Sequence, residues 1–196
     1  MPGKRAEAGG ASSKLIGILK EDHNHFAVLL DALDRQADLF ADGEAVDYEL
    51  LETGISYLRA YAHAVHHPLE EAILERLSER AADDGLVGRE LSLQHERLED
   101  SLKLLQSAFH DAGEDQSTLR QPLAEALHRM VSDMRAHNVW EEANFFPAAG
   151  RALGAQDWAQ LSTGAEGQAV PAARPLDPRF SNLLQQLGCS VSADGE

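Results

Sequence analysis

Four stretches of this chain repeat one pattern. Ile16, Leu19, His23, Phe26, Leu30 and Leu33 form the first, and Ile55, Leu58, Ala62, His66, Glu70, Ile73 and Leu77 the second. Leu91, His95, Leu98, Leu102, Leu105 and Phe109 form the third, and Leu127, Met130, Met134, His137, Glu141 and Phe145 the fourth. Spacings of three and four mark one buried face of an amphipathic helix. In each stripe a place that should be apolar is held by a histidine. In two of them a glutamate follows one turn later on the same face, Glu70 after His66 and Glu141 after His137. No strand pattern competes, and four helices of similar length predict an all-α, up-down-up-down four-helix bundle.

Punctuation residues place the elements. Residues 1–11 are rich in Gly and Ala without periodicity and are expected to be disordered. Ser12 or Ser13 can cap a first helix beginning near Lys14 and fading at Ala41-Asp42-Gly43. The second is expected from Asp47, as its cap, to about Ala81, the third from about Leu86 to Ala112, and the fourth from Ser117 to about Pro147–Gly150. Pro68 interrupts the second beside its histidines; it lacks an N–H and disfavours helical geometry at His67, so a kink or bulge is expected there. Residues 157–161 predict a short helix closing one end. The bundle is therefore assigned to 12–161. Residues 162–196 are assigned to a Gly/Ala/Pro-rich linker and a partly disordered tail, with one short helix over 180–187.

Charge and composition narrow the partners. The 196 residues carry a net charge of −16 and only 17 basic residues. That disfavours nucleic acid and anionic membrane surfaces, and no apolar run approaches a membrane span. The first ten residues hold Lys4 and Arg5 but no apolar stretch, so a signal peptide is not expected. The one cysteine, Cys189, has no internal partner, and cytoplasmic is the expected location.

One histidine in a helical core is ordinarily a hydrogen-bonded structural residue. Ionised glutamates in the same core are costly unless paired or bound to metal. Mixed nitrogen and oxygen donors suit iron, manganese or zinc better than calcium or magnesium. Six donors exceed the four of a structural zinc. They suit two metals bridged by the glutamates, with histidines as terminal ligands. His67 is a further candidate and His63 a lesser one, because at about 100° per residue both point within ~60° of Glu70. Glu71 and Glu142 are expected outside the metal shell, solvated or hydrogen-bonded to ring nitrogens. His25, His110 and His128 lie off the stripes and are expected at the surface. Met130 and Met134 are expected in the core, while Tyr57, Tyr61 and Trp140 either line the pocket or simply pack.

The ordered motifs Asp22-His23-Asn24, His66-His67-Pro68-Leu69-Glu70-Glu71, Gln94-His95-Glu96 and His137-Asn138-Val139-Trp140-Glu141-Glu142, followed by Phe146-Pro147, resemble the hemerythrin-like, HHE cation-binding family over roughly residues 15–161. The resemblance implies a hemerythrin-like bundle holding two non-haem iron ions, oxo- or hydroxo-bridged. It carries ligand status to His23, His66, Glu70, His95, His137 and Glu141, and implies dioxygen or a related small oxidant as partner. The chain departs from the oxygen carriers in two places. Glu99 stands where they have a second histidine on the third helix, and His137-x-x-x-Glu141 replaces their His-x-x-x-x-Asp.

Two functions remain open at this level. One is a non-catalytic protein that binds or senses dioxygen or related oxidants, or buffers iron. The other is a di-iron oxidoreductase reducing peroxide or oxygen, although the Glu-x-x-His pairs of ferritin-like enzymes do not occur among these residues. An apo interaction module leaves the buried glutamates unexplained.

Overall fold

A computed structural model describes residues 3–80, 85–111, 120–163 and 178–189. All regular structure among them is helical. The elements are α1 (Gly3–Ala41), α2 (Tyr48–Tyr61), a wide turn (Ala62–His66), α3 (His67–Glu79), α4 (Leu86–Asp111), α5 (Arg120–Trp140), a second wide turn (Glu141–Phe145), α6 (Phe146–Ala152), α7 (Ala155–Thr163) and α8 (Pro178–Gln186). No helix among the described residues is long and apolar enough to cross a membrane.

Local chemistry accounts for several boundaries. α1 begins at Gly3 rather than near Lys14; its first turns hold Lys4, Arg5, Ala6, Glu7 and Ala8, all good helix formers. It stops as expected at Gly43, whose φ of 78° is a left-handed conformation that glycine adopts without strain. Asp47 caps α2, its Oδ1 accepting from the Leu50 N–H at 2.9 Å. The expected cap at Ser117 and the connections at 81–84 and 112–119 lie outside the described residues, as do 164–177 of the linker and 190–196 of the tail.

The second expected helix is two helices joined by a wide turn. In that turn the His67 N–H bonds the Ala62 carbonyl, five residues back instead of four. Pro68 explains it: with no N–H, it cannot continue the α-helical ladder, and it sits comfortably in the first turn of α3. The same device recurs where the fourth helix was expected to end. The Phe146 N–H bonds the Glu141 carbonyl, and Pro147 occupies the first turn of α6, which carries the chain on to Ala152. Each wide turn lies at the histidines and glutamates of a stripe.

Two apolar cores flank those residues. α1 packs along α5 and against α2, while α4 packs against both α5 and α2. One core gathers Phe26, Leu30 and Leu33 of α1 with Leu58, Leu102, Leu127 and Met130, and Met134 belongs to it as expected. α8 adds Phe180, Leu183 and Leu184, and Cys189 packs at the edge. The other core gathers Leu15 and Leu19 with Leu69, Ile73, Leu91, Phe145, Phe146 and Trp158. α7 lies on α1 and α3 at that end, where a short helix was expected. Along every stripe the histidine comes between a residue of one core and a residue of the other, so the polar layer is sandwiched between two dry ones.

Candidate metal centre

The sandwiched layer holds seven donor side chains in two groups. His23, His66, Glu70 and Glu141 form one, fully buried; His67, His95 and His137 form the other. Within each group the candidate ligand atoms all lie within 4.8 Å of one another. All seven residues singled out from the sequence are thus brought together.

The glutamates stand between the groups. Glu70 Oε1 is 3.4 Å from His66 Nε2, and its Oε2 is 3.3 Å from His95 Nε2. Glu141 Oε2 is 3.0 Å from His23 Nε2, whereas its Oε1 is 3.0 Å from His137 Nε2 and 3.4 Å from His95 Nε2. Each carboxylate therefore offers one oxygen to each histidine group. Several of these approaches are short but misaligned for hydrogen bonding: His23 Nε2, both Glu70 oxygens and Glu141 Oε2 are buried without a hydrogen-bond partner among the described residues. Orphaned buried polar atoms are rare and call for a cause. Cations held among these side chains supply one, so the residues fit a metal site.

His67 reaches the layer through the wide turn. His66 and His67 are consecutive, yet their ring centroids are only 6.1 Å apart and their nitrogens enter different groups. His67 stacks on His95 with centroids 3.9 Å apart and planes inclined 15°. Glu99, one turn after His95, belongs to neither group; it is held by Arg59 at 3.1 Å and Lys103 at 3.2 Å on the outer side of α4. His63 is also outside, exposed and lining a surface cleft with Arg59 and Lys103.

The far nitrogens are held from behind by residues that lie off the stripes; of these, Glu142 was expected in such a place, and Asp22 and Gln94 were not assigned one. Asp22 Oδ2 accepts from His66 Nδ1–H at 3.0 Å, and its Oδ1 accepts from the Tyr61 hydroxyl at 2.7 Å. Glu142 Oε1 accepts from His23 Nδ1–H at 3.1 Å, with Lys20 on its other oxygen at 3.3 Å. Gln94 Oε1 accepts from His137 Nδ1–H at 3.0 Å while its amide donates to Glu90. Because a carboxylate or an amide oxygen can only accept, these bonds keep the proton on Nδ1 and make Nε2 the nitrogen that faces the layer. Glu142 takes the hydrogen-bonded alternative expected of it, and Glu71 the solvated one, exposed and lining a groove between α3 and α4. Asp22 and Gln94 each precede a stripe histidine by one residue. That step of about 100° turns them toward the next helix.

Electrostatics follow from this packing. Burial opposes protonation of His66, but Glu70, Asp22 and Glu141 outweigh it and raise its pKa to about 10. The same opposition at His95 resolves upward to about 9 through Glu141 and Glu70. His67 goes the other way, to about 2, because burial is reinforced by the neighbouring His95, His66 and His137. Burial alone raises Glu141, yet His137, His23 and His95 hold it well below the usual carboxylate range. Phe146 stacks on His23 at 5.6 Å and Phe26 meets His66 edge-on at 5.3 Å, walling the first group from water.

Among known families, the model described as hemerythrin HHE cation binding domain matches residues 14–149. The chain belongs to that family. No curated protein and no solved structure matches it. All seven clustered residues fall inside the hemerythrin-domain match, and cation binding is what joins its name to the geometry of the layer.

Proposed function

We propose that this hemerythrin-domain protein is a non-haem di-iron protein that binds or senses dioxygen or a related small oxidant, or buffers iron. The framework is an up-down-up-down four-helix bundle, and the expected location is the cytoplasm. His23 and His66 would hold one iron and His67, His95 and His137 the other, with Glu70 and Glu141 each offering an oxygen to either group. Manganese or zinc would satisfy the same donors. The observation that carries this is the disposition of Glu70 and Glu141, each with one oxygen toward either histidine group and no hydrogen-bond donor of its own for three of those four oxygens.

When bound, two irons supply reversible electron transfer to a small oxidant. The protein does the rest. Asp22, Glu142 and Gln94 keep three Nδ1 protons in place, so each ring presents Nε2 in one orientation. Phe26 and Phe146 keep water from the first group, which strengthens every charge interaction inside it. The buried carboxylates balance cationic charge in a chain otherwise unable to solvate it there.

An oxidoreductase is the second possibility, favoured by one feature. Tyr61, half-buried, joins the layer through Asp22, which is a path for a proton beside the site. Mixing the reduced iron-loaded protein with oxygen and with peroxide in a stopped-flow spectrometer separates the two. A stable adduct with one turnover supports binding or sensing; many turnovers per centre establish an enzyme.

A further inference from the structure

The two histidine groups differ in how they are held. Counting donors alone, the His67–His95–His137 group offers three imidazoles against two and should grip its ion harder. Two observations oppose that count. Both imidazoles of the first group are backed by carboxylates, His66 by Asp22 and His23 by Glu142. In the second group only His137 is backed, by the neutral amide of Gln94. No bond to the far nitrogen of His67 or His95 occurs among the described residues. Outer partners of this kind are each worth about 10–100-fold in metal affinity, so two carboxylates behind the first group, against one neutral amide behind the second, work against the extra ring.

Access differs as well. The side chains of His23, His66, Glu70 and Glu141 are exposed by 4% or less, while His95 is 15% exposed. On the outer side of the second group a cleft of about 360 Å³ opens between α4 and α5, lined by Gln94, His137 and Trp140, with Glu90 and Asp133 among its lining residues. Gln94 lines this cleft beside His137, with one end on His137 at 3.0 Å and the other on Glu90 at 2.7 Å. Glu90 and Asp133 outnumber Arg97 in the lining, a net negative charge that suits a passing divalent cation, and Gln94 and His137 are the polar side chains between them and the layer.

Building on the dinuclear site proposed above, we propose that the two metal positions exchange independently. The His67–His95–His137 position opens to solvent through the cleft at Gln94 and releases its ion first, while Asp22 and Glu142 lock the His23–His66 position. A half-loaded protein, carrying one ion between His23 and His66, is then a long-lived species. A protein built this way can give up or take on one metal without dismantling the other position.

The test uses the full chain loaded with two equivalents of cobalt(II) and mixed with excess EDTA, following cobalt absorption over time. Two phases of equal amplitude are expected, separated at least tenfold in rate. Asp22→Asn should speed the slow phase about 10–100-fold and leave the fast one alone. Gln94→Glu, which puts a carboxylate behind His137, should slow the fast phase; it keeps the proposal testable if Asp22→Asn fails to fold. Crystals stopped after the fast phase should retain one anomalous peak, at His23 and His66. A single phase, a residual peak at His95 and His137, or an Asp22→Asn effect confined to the fast phase overturns the order of release while leaving the dinuclear site intact. Failure of the wild-type protein to bind cobalt at all overturns that site, and this proposal with it.

Discussion

Glu70→Gln is the substitution that bears hardest on the buried layer. Glu70 is 0% exposed, its two oxygens reach toward His66 and His95, and neither has a hydrogen-bond partner. Glutamine keeps the shape but replaces one anionic oxygen with an N–H₂ donor aimed at a position a cation should fill. If free metal stands at 100–1,000 times Kd, each bound ion stabilises the fold by about 2.7–4.1 kcal/mol, or roughly 5–8 kcal/mol for two. In a chain of 196 residues each kcal/mol moves the midpoint by about 2–4 °C. Removing metal from the wild type should therefore lower Tm by roughly 10–30 °C. The assay is circular dichroism melting of loaded and EDTA-stripped protein, wild type beside Glu70→Gln. The quantity to compare is the shift on stripping, which cancels whatever the substitution does to the metal-free fold. In Glu70→Gln the shift should fall below a third of the wild-type value, with iron content reduced in parallel. An undiminished shift with two irons still bound would refute the bridging role of Glu70.

Other perturbations give distinct readouts. Metal loading near pH 7.5 should release about two protons per chain, detectable with a pH indicator, because His66 and His95, raised to about 10 and 9, hold protons that a metal must displace; release that stays constant up to pH 11 would contradict this. In the metal-free protein those raised values stabilise the fold fully below the unfolded pKa of about 6.5, and the contribution should be lost as pH rises through about 9 and 10. Glu141, held low, works in the opposite direction: its contribution is present above the ordinary carboxylate range and should vanish as acid protonates it, so urea midpoints of metal-free protein should fall at both ends. Pro68→Ala restores an N–H and should relax the wide turn before α3, turning His67 out and lowering metal content toward one per chain; unchanged content would show that the turn does not depend on proline. Glu99→His should leave the metal count unchanged and cost about 1 kcal/mol or less, since Glu99 faces Arg59 and Lys103 at the surface; a histidine there that increases metal affinity would contradict the placement of α4.

Much of the fold and of the candidate site can be read from the stripes because burial and helical period act together on every residue. Four apolar stripes, each broken by a histidine, locate the layer without any knowledge of neighbours, and Asp47 announces its own role as a cap. His67 was harder, since its direction depends on how the chain passes Pro68, and only the observed five-residue hydrogen bond fixes it. The turn before Pro147 has the same cause, yet a proline near an expected helix end reads as a stop; α6 shows that it is a restart. Asp22 and Gln94 could not be assigned from periodicity, because they lie one residue off the stripe. Their value comes from which helix stands beside them, a long-range fact: Asp22 of α1 meets His66 beyond α2, and Gln94 of α4 meets His137 of α5.

The most direct measurement is diffraction from crystals of the iron-loaded protein, with anomalous data collected at the iron edge. Two peaks are expected inside the bundle, roughly 3.5–4 Å apart as in other two-metal sites. One should lie against His23 and His66, the other against His67, His95 and His137, with Glu70 and Glu141 spanning both. A single peak, or iron bound away from these seven side chains, would contradict the dinuclear assignment.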